Sequence, residues 1–92
     1  MYEHAAKYLD RRKCFLSELK DQHATLNPLS ASAHSYYFLA FCEFEKEEKR
    51  NLRKALDYLE KGSLMMSKID PTNILIQQAE WHSKMLKRDM MI

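Results

Sequence analysis

The 92 residues include a single glycine, Gly62, and two prolines, Pro28 and Pro71. Tight turns and hairpins have little to be made from, so the chain has few turns and long helices, and no glycine-rich phosphate loop can be built from one glycine. The longest unbroken apolar run, Tyr36 to Cys42, is seven residues, against the roughly 20 that a membrane-spanning helix needs. The start, Met-Tyr-Glu-His, lacks the apolar stretch of a signal peptide. Cysteine is scarce as well: Cys14 and Cys42 fall in different predicted helices, which points to free thiols in a reducing compartment, and so to the cytoplasm. No charge of one sign dominates, since the formal net charge is +2 with 30% charged residues interleaved. Such a surface has no electrostatic footprint for nucleic acid. His4, His23, His34 and His82 are scattered one per region, and neither cysteine has a neighbouring ligand, so no metal site, cofactor site or catalytic constellation is expected.

What remains is a single domain, residues 1–92, rich in Leu, Ala, Lys, Glu and methionine, and the expectation is an all-α fold of about four antiparallel helices. The first helix is predicted over about 2–24, with Tyr2, Ala5, Leu9, Leu16 and Leu19 on one face, Ala6 and Tyr8 at its edges, and His4, Lys7, Arg11, Glu18 and Gln22 opposite. Arg12 falls inside that stripe and Lys13 at its margin, so each must snorkel to water or meet a carboxylate. Asn27-Pro28 then supplies a cap and a first helical residue, and Leu26 an apolar contact back to the core. The second helix, about 28–49, carries Ser35 to Phe44, where apolar side chains point nearly all round. Such a helix is buried on several sides or offers a face to a partner. Its charged tail offers an i,i+4 pair, Glu45 with Lys49, before a turn that uses Asn51 as cap or in the left-handed region.

The third helix, 51–69, has the cleanest period: Leu52, Ala55, Leu56, Leu59, Ser63, Met66 and Ile69 share one side. Gly62 adjoins that stripe and marks a close approach of another helix. Asp70-Pro71 repeats the cap-and-proline device, and a fourth helix is predicted over 71–90. Its inner face is Leu75, Ala79, His82 and Leu86, flanked by Ile74, Trp81 and Met85, with an apolar end at Met90-Met91-Ile92 that invites an oligomer contact.

Pro28 and Pro71 stand 43 residues apart, and at that offset Leu9 falls on Leu52, Leu16 on Leu59 and Leu26 on Ile69, a weak internal repeat. Leu39-Ala40 in one helix, Ala55, Tyr58, Leu59 and Gly62 in the next, and Asp70-Pro71-Thr72-Asn73 after it resemble the tetratricopeptide repeat family, with lengthened helices. The resemblance implies helices stacked as helical hairpins, the chain being a fragment of a longer array or a stand-alone unit. A plain four-helix bundle is the alternative packing. It also implies a non-catalytic protein-interaction role, as adaptor or small chaperone. With Ala40 against Ala55, the concave face would carry His34, Tyr37, Phe41 and Glu45, and the 43-residue register adds Gln77, Glu80, Lys84 and Arg88. That surface would suit a peptide or amphipathic helix of a protein partner. The competing possibility is that Tyr37 and Phe41 are core, covered by the first or fourth helix. The other function class is nucleic-acid binding through Lys7, Arg11, Arg12 and Lys13 with Lys84, Lys87 and Arg88, which Asp10, Glu18 and Asp89 interrupt. An assembly of identical copies through the fourth helix is compatible with either.

Overall fold

The computed structural model describes residues 2–25, 27–46 and 51–90, with side chains from Lys7 onward. Helix α1 is Tyr2–Ala24, a 3-10 turn at Pro28–Ser30 leads into α2 at Ala31–Glu45, α3 is Leu52–Ile69 and α4 is Ile74–Met90. Among the described residues there is no strand, and the fold is all-α.

Contacts across each interface set the directions. His23 meets His34 at 5.6 Å while Tyr8 meets Phe44 at 6.4 Å, so α1 and α2 run antiparallel. The Ala33 carbonyl lies beside Gly62 while Glu43, further along α2, is near Asn51 and Lys54, so α2 and α3 do likewise. α3 and α4 follow the same rule, and Lys87 reaches back to Glu60 at 3.1 Å. Finally α1 packs on α4, so each helix touches two neighbours, while the backbones of the diagonal pairs, α1 with α3 and α2 with α4, stay apart. The result is a four-helix arrangement with α3 behind the α2–α4 pair and α1 in front.

The ends of the elements follow from side-chain caps. Asn27 accepts from the Leu29 N–H at 3.0 Å with Pro28 opening the turn, as expected. Asn51 takes the cap alternative: at φ −106° it is extended, not left-handed, and its side chain accepts from the Lys54 N–H at 3.0 Å. Two boundaries differ from expectation. α2 stops at Glu45 because Lys46 is extended, and beyond Phe44 the charged run has no apolar side chain to hold another turn on the core. The remainder of the predicted second helix, with the Glu45–Lys49 pair, lies outside the described residues, as do Leu26, Met91 and Ile92. α4 starts at Ile74 rather than Pro71: the Asn73 N–H donates to the Asp70 carbonyl at 3.1 Å, closing a turn with Pro71 in its second position, and Asn73 caps the helix through Leu75 N–H at 2.9 Å.

The buried stripes of α3 (Ala55, Leu59, Met66) and α4 (Leu75, Ala79, His82, Leu86) are those read from the period. That of α1 is turned. Its inward residues are Phe15 and Leu19, with Tyr8 and Arg12 half-buried, whereas Leu9 is 53% exposed. The inner face is rotated by roughly 65° from the expected one, at 100° per residue. Burying Phe15 removes more apolar area from water than burying Leu9. Cys14 and Cys42 are free thiols, both exposed.

Candidate functional site

The most elaborate chemistry in the molecule lines the trough between α2 and α4, and α1 fills it. Phe15 of α1 inserts among Phe41 at 4.9 Å, Tyr37 at 5.3 Å and His82 at 5.5 Å. The first two contacts are edge-on and the third stacked, arrangements that contribute beyond area burial. About two turns earlier, Tyr8 touches His82 at 5.2 Å and Trp81 at 5.8 Å. The floor is rigid because α3 supports it. Gly62 lets α3 approach so closely that an added Cβ would stand 2.9 Å from Tyr37 Cε1 and 3.3 Å from the Ala33 carbonyl oxygen. The Tyr37 hydroxyl is fixed by Ser63 at 2.9 Å.

Arg12 meets aromatic ring faces. Its guanidinium lies over the Tyr8 ring at 4.5 Å and the Phe44 ring at 4.3 Å, where the negative ring faces attract the cation. Arg11 does the same over Trp81 at 5.1 Å. Paired arginines on α1 therefore meet one aromatic ring on each wall of the trough.

His82 sits between these rings, 1% exposed. Neither of its ring nitrogens makes a hydrogen bond within geometric limits to a described residue. Burial pushes the imidazole down to about 4, the nearby Arg12 and Arg11 cations adding to the depression and the Arg11 main chain opposing it. The ring is thus an uncharged core histidine with polar atoms left unmatched. His34 is in a similar state, its nitrogens buried and unbonded; burial lowers its pKa, with the His23 charge adding to that. Burial raises the Tyr37 phenol to about 12 against the opposing bond from Ser63, so it is neutral at any physiological pH.

The eight residues expected on a concave face separate into two groups. Tyr37 is fully buried, Phe41 is 5% exposed and His34 is buried, so these three form core, not open surface. Their rings do line the trough, but α1 covers them. Glu45, Gln77, Glu80, Lys84 and Arg88 are exposed, and of these Glu80 is near enough to Tyr37 for its charge to help raise the phenol pKa. The parts of the site missed by sequence reasoning are Phe15, Phe44, Trp81 and the Arg11-Arg12 pair. The signal for them was there in the misplaced cations, since an arginine in an aromatic-rich stripe points to ring faces as partners.

A second recess of about 460 Å³ opens at the end of the bundle where Gln22, Asn27, His34, Asp70 and Asn73 converge. Its amides are already matched: Gln22 Nε2 donates to Asn73 Oδ1 at 3.0 Å and Asn73 Nδ2 donates to Gln22 Oε1 at 2.8 Å. This reciprocal pair ties the end of α1 to the start of α4. Gln22 also donates to Glu18 at 3.1 Å, so the side expected to face solvent is in part an α4 contact. Among the described residues no group of three His, Cys, Asp or Glu side chains is placed to hold a metal ion, and no helix is long and apolar enough to cross a membrane. The large exposed apolar side chains, Leu9, Leu29, Leu39, Leu64 and Ile74, are distributed over α1, the 3-10 turn, α2, α3 and α4, and single exposed leucines carry no functional signal.

Comparison of the chain with protein-family models, with curated proteins and with solved structures finds no match.

Proposed function

We propose that this chain is a non-catalytic protein-interaction module whose α2–α4 trough holds an amphipathic helix. The observation that carries this reading is the seating of α1. A helix with aromatic, cationic and aliphatic side chains in sequence occupies the trough through side-chain contacts, and α3 braces α2 and α4 from behind. This is the helix-in-groove mode of recognition, with apolar anchors giving affinity and polar groups giving register. The likeness of Ser35 to Asn73 to a tetratricopeptide hairpin is compatible with such a role. A partner helix competes with α1, whose tether gives it an effective concentration of about millimolar.

The test is a titration of the full chain into a dye-labelled peptide of residues 2–24, read by anisotropy. Saturable binding is expected in the micromolar-to-millimolar range, tighter when Phe15→Leu loosens the chain's own α1. A peptide that stays free with both proteins, while circular dichroism shows them helical, would overturn the proposal.

A further inference from the structure

We draw no further inference here: the strongest candidate, the recess at the end of the bundle lined by Gln22, His34, Asp70 and Asn73, carries nothing, because its Gln22 and Asn73 amides are matched to each other and the unmatched His34 ring nitrogens are buried rather than open to it, so that nothing in the structure shows what would occupy it.

Discussion

Lowering the pH from 7.5 to 5 should destabilise this protein through His82 before any carboxylate matters. The ring is buried among Tyr8, Phe15, Phe44 and Trp81 with no bonded partner for either nitrogen among the described residues. Its folded pKa is about 4 against an ordinary 6.5. The folded state therefore holds the neutral ring, while the unfolded chain takes up a proton as soon as pH drops below the ordinary value. Because the unfolded state binds more protons in this window, stability falls as pH falls, from about 6.5 downward, and levels off below the folded value. Each unit is worth about 1.4 kcal/mol, so roughly 2 kcal/mol is lost by pH 5 and on the order of 3 kcal/mol by pH 4. That is a large part of the 5–15 kcal/mol typical of a small domain. His34, lowered in the same direction, adds to the slope.

Urea unfolding followed by circular dichroism at pH 7.5, 6, 5 and 4.5 measures this directly. His82→Leu should change stability by less than about 1.5 kcal/mol at pH 7.5, because it removes unmatched polar atoms while keeping an apolar side chain of similar size. It should flatten the slope between pH 6.5 and 5. An unmodified protein equally stable at pH 5 and 7.5, or a His82→Leu protein with an unchanged slope, would refute the reasoning.

Gly62→Ala should lose about 1–2 kcal/mol by urea denaturation, despite the better helix propensity of alanine, since the new methyl meets the immobile Tyr37 ring and the Ala33 carbonyl. Phe41→Ala should cost about 3–5 kcal/mol in the same assay, as for a ring in a packed core; a loss under about 1 kcal/mol would mean the ring is surface after all. Tyr37→Phe leaves Ser63 without its partner and should cost about 1 kcal/mol, visible as a lower denaturation midpoint with an unchanged slope. Asn73→Ala removes both the α4 cap and the reciprocal bonds to Gln22, and a loss of about 1–2 kcal/mol is expected, with faster amide exchange in the first turn of α4.

Periodicity made α3 and α4 legible to the residue, because each has one apolar face and one neighbourly choice of partner side: Leu59 and Met66, or Ala79 and Leu86, have nowhere else to go. α1 defeated the same method. Leu9 and Leu16 mark one stripe and Tyr8 and Phe15 another, with the buried Leu19 common to both, and the decision between them lies in the aromatic rings of α2 and α4, which a single helix does not display. The start of α4 was misplaced because Asp70-Pro71 reads equally well as a cap or as a turn, and only the bond from Asn73 back to Asp70 distinguishes them. As for the site, the aromatic surplus around Tyr37 and Phe41 was visible in the sequence, and both open and covered versions of it were physically reasonable. What tipped the balance was the insertion of Phe15 between them, a contact with no signature in local pattern.

Trp81 gives the α1–α4 seam a consequence of its own. It is the sole tryptophan in the chain, half-buried under Arg11 and beside Tyr8, so its emission colour reports the seating of one helix, whereas circular dichroism sums over all four. If α1 lifts away before the α2–α3–α4 framework melts, the spectrum should shift to the red at a lower denaturant concentration than the helical signal is lost. If the domain melts as one unit, the two curves superimpose. The placement of a single indole thus equips the protein with an internal gauge of whether its first helix is an integral wall or a detachable bolt.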